Sequence, residues 1–160
     1  MATKTFVTPE QYLAIHSDWQ PELRNGDVVE RTLPTRLHGR TQHRLAVLLD
    51  GAGYCCTDVR VRLAEHLFLI PDVLLFEGAG PTEQVPTSPP LVIVEISSPD
   101  DKFHELLEKC EQYHTWGVPN VWLIEPELKK LHVYTGGLQK VDYFEFPSRN
   151  LIVTPADLFA

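Results

Sequence analysis

Cysteine is scarce in this sequence, which contains only three among its 160 residues. Cys55 and Cys56 are adjacent, and no Cys-x-x-Cys pair occurs, so the sequence predicts neither a disulfide framework nor a structural zinc site. We interpret the three thiols as free, mostly buried side chains of a protein in a reducing compartment.

Long hydrophobic runs are also missing. The longest apolar segments are too short to cross a membrane, and residues 1–18 lack the apolar stretch of a signal peptide. No Walker loop, Gly-x-Ser-x-Gly pattern or Gly-x-Gly-x-x-Gly pattern occurs. The length and composition fit one globular domain over residues 1–160, which we expect to lie in the cytoplasm with no membrane partner.

Basic residues are outnumbered by acidic ones, 14 against 22, which gives a net charge of −8. A protein with this balance does not bind nucleic acid over its whole surface, because phosphate contacts need lysine and arginine. A local basic patch stays open as a hypothesis, since the first 62 residues hold most of the arginine: Arg24, Arg31, Arg36, Arg40, Arg44, Arg60 and Arg62.

Helix signals occur at three places in the chain. Thr8 and Gln11 form a capping-box pattern that predicts a helix near the N-terminus. Apolar spacing predicts a second helix over residues 37–50. A third helix is predicted to open at 98–100 and to end at Gly117, a residue type common at helix C-termini.

Strand signals fill much of the remaining sequence. Asn25-Gly26 is the strongest hairpin signal in the chain. Segment 77–90 is rich in glycine and proline and predicts a surface loop. These patterns together predict an α/β fold with a mixed central β-sheet flanked by helices, preceded by an N-terminal helix and hairpin. The predicted strands cover 55–65, 66–78, 91–97, 120–126, 130–135 and 140–146.

Two acidic residues interrupt these apolar strand segments. Asp72 precedes the apolar run 73–76, and Glu95 follows the apolar run 91–94. An ionised carboxylate in such a place is costly unless it is paired, protonated or bound to a cation. One acid alone is more often a strand-end residue that reaches solvent or pairs with arginine. Two acids on neighbouring strands can share one divalent ion, and oxygen ligands suit Mg²⁺ or Mn²⁺.

We therefore expect the carboxylates of Asp72 and Glu95 to lie on adjacent strands and on one face of the sheet. Lys109 is the nearest candidate partner, because it borders the apolar stripe of the third predicted helix. The spacing leaves two alternatives open for this lysine. Its side chain could reach inward to the sheet or extend outward to solvent, as long amphipathic side chains commonly do.

The arrangement of these residues resembles a known family. "PDVLLF" is followed, 23 residues after its aspartate, by "EISSPDDKFHELLEKCEQYHTWGVPNVWLIEP". This pattern is similar to the Uma2-like family of restriction-endonuclease-like proteins, which belongs to the PD-(D/E)XK nuclease superfamily. The segments "PELRNGDVVE" and "LPTRLHGRTQHRLAVLL" extend the resemblance, so that it covers residues from about 8 to 135.

The resemblance implies a metal-dependent phosphodiester hydrolase, here a DNA endonuclease that uses Mg²⁺ or Mn²⁺. It implies that Asp72 and Glu95 bind the ion together with the backbone carbonyl of Ile96. Ser97 stands where the superfamily expects a lysine, and Lys109 is the candidate replacement. Lys109 would orient or deprotonate the attacking water, or neutralise the charge that develops on the phosphate.

Two further residues follow from the same resemblance. His38 matches a histidine that is common in the family, although a capping or surface histidine is the alternative. Tyr113, one helical turn after Lys109, would be a neighbour of the site.

A second function remains open beside the enzyme. A catalytically inactive relative could serve as a nucleic-acid or protein-binding module, and Ser97 and the acidic net charge favour that alternative. Asp72, Glu95 and Lys109 favour the enzyme. For the enzyme we also expect a homodimer, because cutting both strands of a duplex usually needs two sites.

Overall fold

A computed structural model describes residues 6–160 of the chain. The helices are α1 (Pro9–Leu13), α2 (Arg36–Asp50), α3 (Phe103–Trp116) and α4 (Pro155–Phe159), with a 3-10 turn at Pro147–Arg149. The strands are β1 (Glu22–Arg24), β2 (Asp27–Val29), β3 (Tyr54–Thr57), β4 (Val61–Ala64), β5 (Leu67–Leu69), β6 (Val73–Phe76), β7 (Val92–Ile96), β8 (Asn120–Glu125), β9 (Lys130–Tyr134), β10 (Leu138–Val141), β11 (Phe144–Phe146) and β12 (Leu151–Val153).

The central sheet has six strands in the order β10-β9-β8-β7-β6-β3. β7 and β8 run parallel, whereas the other neighbouring strands are antiparallel. α3 connects the parallel pair, because parallel strands need a crossover connection rather than a tight turn. The predicted α/β class with a mixed central sheet is confirmed.

Helices α2 and α3 cover opposite faces of this sheet. Alternate residues of a strand point to opposite sides, and Val94 of β7 lies in the same buried cluster as Leu45 of α2. The preceding residue, Ile93, lies in the buried cluster that contains Leu106 of α3. Burial on both faces explains why the sequence of β7 is almost continuously apolar. The same alternation directs Glu95, two residues after Ile93, toward the α3 face.

The N-terminal segments form a second, four-stranded antiparallel sheet in the order β2-β1-β5-β4. The β1–β2 hairpin turns at Asn25 and Gly26, whose φ angles of 51° and 86° are those of the predicted tight turn. Ahead of it, the capping box of Thr8 and Gln11 is formed at the start of α1. The predicted N-terminal helix and hairpin are therefore confirmed.

Two predicted strands were wrong in extent, because each contains two strands that belong to different sheets. Within 55–65, Asp58 has a φ of +55° and separates β3 from β4. Within 66–78, Pro71 lacks the N–H that a continuous ladder needs, and it separates β5 from β6. The chain thus passes between the two sheets at these points, and Asp72 stands at the second passage, directly before β6.

The boundaries of two other elements also differ from prediction. α3 begins at Phe103, because the Asp101 carboxylate accepts a hydrogen bond of 2.7 Å from the Ser98 N–H and closes a turn ahead of the helix. Gly117, with a φ of 110°, ends α3 as predicted. The predicted strand over 140–146 is split between β10, at the edge of the central sheet, and β11, which pairs with β12.

Two expectations from composition can be compared with the structure. Within residues 6–160, no helix is both long and apolar enough to cross a bilayer. The three cysteines are free, with Cys110 buried and Cys55 and Cys56 half-buried.

Candidate active site

A cleft opens where the N-terminal sheet meets the ends of β6 and β7. Its walls come from β1, from the loop 30–34 between β2 and α2, from the first turns of α2, and from α3. Five of the residues that the sequence analysis singled out line this cleft: His38, Asp72, Glu95, Ile96 and Lys109.

Lys109 lies at the centre of the cleft's charged network. Its side chain is 7% exposed, so the inward alternative of the sequence analysis is the observed one. Its Nζ lies 2.8 Å from Oε1 of Glu95 and 2.8 Å from Oε1 of Glu22. One buried ammonium therefore bridges two buried carboxylates, one from each sheet.

Glu22 is a residue of this network that the sequence analysis missed. Its Oε2 accepts hydrogen bonds from Nε and Nη2 of Arg24, at 3.0 and 2.5 Å. Its Oε1 also accepts a hydrogen bond of 2.9 Å from the Ile70 N–H. The strand holds only three residues, and both Glu22 and Leu23 are fully buried, so no alternation marks the acid as inward. The spacing of Glu22 and Arg24, which places both on one side of a strand, was the available signal.

The pKa values of these acids differ because they share one lysine. Burial alone would raise the pKa of Glu22, but Lys109 and Arg24 outweigh it and lower that pKa to about 2. Burial raises the pKa of Glu95 to about 7, since the attraction of Lys109 is opposed by the negative charges of Asp72 and Glu22. Glu22 is thus firmly ionised, whereas Glu95 is poised near neutral pH.

Lys109 shows the complementary effect. Burial opposes its charge, but the contacts with Glu22 and Glu95 outweigh burial and raise its pKa above the usual range. It is therefore an ammonium at neutral pH, a donor of hydrogen bonds and positive charge rather than a base.

Asp72 lies on the same face of the sheet as Glu95. β6 and β7 are antiparallel with Val73 opposite Val94, so the next pair in register is Asp72 and Glu95. Oδ2 of Asp72 accepts a hydrogen bond of 2.6 Å from the N–H of Ile96. Its carboxylate is thereby held against the end of β7, beside the residue whose carbonyl was expected to bind the ion.

The other oxygen of Asp72 faces a guanidinium and an imidazole. Oδ1 lies 3.2 Å from Nη2 of Arg31 and 3.3 Å from Nε2 of His38. His38 is buried, and it is neither a surface residue nor a cap, because Thr35 supplies the N-terminal cap of α2. Burial opposes protonation of His38, but the hydrogen bond with Asp72 outweighs it and raises the pKa of the imidazole. Arg31 was not among the residues predicted for this site.

Tyr113 and Ser97 occupy different surroundings. The buried hydroxyl of Tyr113 donates a hydrogen bond of 2.6 Å to Oε1 of Glu95, so this residue does neighbour the acids. Ser97 follows the end of β7 and lines a separate cavity with Phe103 and Leu128. The structure thus brings Tyr113 to the acids and does not bring Ser97 there.

The donor set suits a hard divalent cation, since it consists of the carboxylates of Asp72 and Glu95 and the nearby backbone of Ile96. Within residues 6–160, however, no three His, Cys, Asp or Glu side chains are gathered as a ready-made metal cluster. The carboxylate of Asp72 instead contacts Arg31 and His38, and that of Glu95 contacts Lys109. A cation therefore fits the chemistry of these residues if one of the protein's own positive groups gives way.

Comparisons with known proteins give a family and a fold. No curated protein matches the chain. The structure is similar to the crystal structure of "a putative nuclease belonging to DUF820" from Anabaena variabilis, with a TM-score of 0.82 over 96% of this chain and 97% of that one. Only 19% of residues are identical, so this likeness supports the fold alone. A family model described as "Uma2: Putative restriction endonuclease" matches residues 9–156, and the chain therefore belongs to the Uma2 family.

Proposed function

We propose that this protein is a Mg²⁺- or Mn²⁺-dependent endonuclease of the PD-(D/E)XK type that hydrolyses phosphodiester bonds in DNA. In this proposal residues 1–160 form a single nuclease domain. The observation that carries the proposal is the buried Lys109 ammonium between Glu22 and Glu95, in the same cleft as Asp72. Carboxylates that suit a cation, beside a fixed positive donor in an open cleft, are the groups that phosphodiester hydrolysis requires.

The contacts of these residues support a role for each of them in the proposal. A divalent ion, when bound, lowers the pKa of water and offsets negative charge on a phosphate. Asp72, Glu95 and the carbonyl of Ile96 would hold it. Lys109 would donate a hydrogen bond to the attacking water or to the phosphate, since its raised pKa makes it a poor base. Glu22 would fix the position of Lys109.

The charge of the cleft supports a requirement for a cation. Of the described residues that line it, eight are acidic and four are lysine or arginine. A phosphodiester is repelled by such an excess of negative charge. One or more bound divalent ions would reverse that repulsion, so we expect substrate binding as well as catalysis to depend on the ion.

Lys109 also accounts for the missing lysine after β7. Ser97 lines a different cavity, so it supplies no positive charge to the acids. Lys109 approaches Glu95 from α3 instead, at 2.8 Å. The ammonium that contacts Glu95 therefore comes from α3 rather than from the end of β7.

One observation favours the alternative, an inactive nucleic-acid or protein-binding module. Asp72 is already paired with Arg31, and Glu95 with Lys109, without any ion. A protein that had lost catalysis could keep such a network for stability alone. A cleavage assay distinguishes the endonuclease from the inactive module: the protein is incubated with supercoiled plasmid in the presence of Mn²⁺, Mg²⁺ or a chelator.

Cleavage by wild type with Mn²⁺ or Mg²⁺ is expected, with none in the chelator. Asp72→Asn and Glu95→Gln should each reduce the rate at least a hundredfold, because each removes a ligand charge. Glu145→Gln, at an exposed position of β11 outside the cleft, is the matched control and should cleave as wild type does. Intact plasmid under all ion conditions, together with measurable DNA binding, would establish the inactive module instead.

We also propose a homodimer for the enzyme. β3 and β10 are the outermost strands of the central sheet, and outer strands present backbone groups that can pair with a second copy. A twofold contact of this kind would supply the two sites that duplex cleavage needs.

A further inference from the structure

Arg31 binds the acid that a divalent cation would need. Its Nη2 lies 3.2 Å from Oδ1 of Asp72 and 3.0 Å from Oδ1 of Asp58. The side chain of Arg31 is 21% exposed, whereas that of Asp72 is only 5% exposed. A guanidinium at the rim of the cleft therefore covers a buried carboxylate.

We propose that Arg31 is a phosphate-binding residue that stays paired with Asp72 until a divalent cation binds. In the ion-free protein Arg31 neutralises Asp72. When a divalent ion takes that carboxylate, Arg31 is released and binds a phosphate of the nucleic acid. This inference rests on the proposed function, because it assigns the recognition of substrate phosphate within the same cleft.

The competition follows from charge and from position. A divalent ion and a guanidinium cannot both stay close to the same oxygen without strong mutual repulsion. The other oxygen of Asp72, Oδ2, is fixed by the Ile96 N–H, so the ion would meet Asp72 at Oδ1, the oxygen that both Arg31 and His38 approach. Binding of the ion therefore displaces Arg31 from Asp72.

Asp58 forms a second ion pair with Arg31 at the rim of the cleft. Gln42 Nε2 donates 2.9 Å hydrogen bonds to Oδ2 of Asp58 and to the backbone carbonyl of Asp72, which fixes the relative position of the two acids. The side chain of Asp58 is 38% exposed. Exposed ion pairs are weak, so an incoming phosphate can draw Arg31 away from Asp58.

The loop that carries Arg31 is fastened beside it. The hydroxyl of Thr32 donates a hydrogen bond to Oδ1 of Asp101, which joins the loop to the turn before α3. In this proposal the loop backbone stays in place, and Arg31 leaves Asp72 by a change of its side-chain torsions.

Arg24 lines the same cleft as Arg31 but is paired with a different acid. Its Nε and Nη2 both bind Glu22, which is fully buried and is not one of the proposed ligands. A cation at Asp72 and Glu95 leaves that fork intact. Arg24 is therefore the matched comparison for Arg31: the same charge in the same cleft, paired to a different acid.

The first test measures Mn²⁺ binding by titration calorimetry without nucleic acid, in wild type, Arg31→Gln and Arg24→Gln. Loss of the competing guanidinium should tighten Mn²⁺ binding of Arg31→Gln by about tenfold, within the usual range for coupled sites. Arg24→Gln should change it by less than threefold. An unchanged or weaker affinity in Arg31→Gln overturns the inference, as does an equal gain in both variants, which would show a general charge effect.

Arg31→Lys provides a second variant if Arg31→Gln does not fold. It keeps the charge but loses the planar fork that reaches two carboxylates at once. A smaller gain in Mn²⁺ affinity, of about two- to fivefold, is expected. No gain in a folded Arg31→Lys protein would count against the inference.

The second test measures binding of a fluorescently labelled DNA duplex with Ca²⁺, which takes similar oxygen ligands. With Ca²⁺ present, Arg31→Gln should bind the duplex at least fivefold more weakly than wild type does. The slope of the logarithm of DNA affinity against the logarithm of salt concentration should decrease by about one, as expected for the loss of one phosphate contact. Equal affinities overturn the inference. If wild type cuts DNA while Arg31→Gln keeps the wild-type Mn²⁺ and DNA affinities, the inference fails and the proposed function stands. If wild type neither binds Mn²⁺ nor cuts DNA, both fail.

Discussion

Nζ of Lys109 lies 2.8 Å from Oε1 of Glu22, a residue 87 positions earlier in the chain. This contact joins α3, which packs on the central sheet, to β1 of the N-terminal sheet. Both side chains are buried, and Glu22 is completely inaccessible to solvent. The charged network that defines the candidate site is therefore also part of what holds the two sheets together.

Lys109→Met should destabilise the protein as well as abolish Mn²⁺-dependent cleavage. The methionine keeps most of the stem but leaves Glu22 and Glu95 without their shared ammonium. Removing one partner of a buried ion pair typically costs about 3–5 kcal/mol. Urea unfolding at neutral pH should show a loss in that range.

A double variant separates lost charge from lost packing. Lys109→Met combined with Glu22→Gln removes one of the stranded carboxylates and should recover part of the stability. Additive losses in the two single variants would contradict a direct interaction between these residues.

Glu22→Gln should change how stability depends on pH. The pKa of Glu22 is lowered to about 2 in the folded protein, from an ordinary value of 4.5. Its stabilising contribution is therefore complete above pH 4.5 and is lost as the pH falls from 4.5 toward 2. The shift corresponds to a contribution on the order of 3 kcal/mol.

Urea unfolding between pH 3 and pH 7 measures this effect. The stability difference between wild type and Glu22→Gln should be largest near neutral pH and should narrow below pH 4.5. A difference that stays constant with pH would mean that the charge of Glu22 does not stabilise the fold. Glu10→Gln, at an exposed position in the first turn of α1, is the control for losing one carboxylate.

The sequence predicted the parts of this site that lie on long, regular elements. Glu95 stands out because β7 is apolar on both faces. Lys109 borders the apolar stripe of α3, and its spacing left open whether the side chain points inward or outward. Glu22 lies in a strand of three residues, where a period of two cannot be read. Arg31 lies in a loop, and its contact with Asp72 joins positions 41 residues apart. Contacts of that kind depend on how the sheets meet, which no local pattern specifies.

The same distinction explains the errors in strand extent. Segments 55–65 and 66–78 have the composition of single strands, because apolar and β-branched residues continue through both. The left-handed backbone of Asp58 and the missing N–H of Pro71 divide them, and the resulting halves pair in different sheets. Composition reports strand tendency, whereas the choice of sheet depends on tertiary packing.

The protein is expected to be a homodimer at working concentration. The outer strands β3 and β10 offer edges for a twofold contact, and a dimer would bring two clefts to one duplex. Size-exclusion chromatography with light scattering should give about twice the 18.2 kDa chain mass. A single species at the chain mass, across the concentrations used for cleavage, would rule out this assembly.

Tyr113→Phe should shift the pH dependence of cleavage without disturbing the packing of α3. The Tyr113 hydroxyl donates a 2.6 Å hydrogen bond to Glu95, and a donated hydrogen bond favours the ionised carboxylate. Burial already raises the pKa of Glu95 to about 7. Without the hydroxyl, that pKa should rise further, so the acidic limb of the pH–rate profile should move to higher pH.

The loss of stability in Tyr113→Phe is a second measure of the hydrogen bond between Tyr113 and Glu95. A hydrogen bond to a charged group contributes about 1.5–3 kcal/mol, and phenylalanine fills nearly the same volume as tyrosine. Tyr143→Phe, at an exposed tyrosine outside the cleft, should match wild type in both stability and pH profile. If Tyr113→Phe keeps the wild-type profile, the hydroxyl does not tune Glu95, and its raised pKa reflects burial and the neighbouring acids alone.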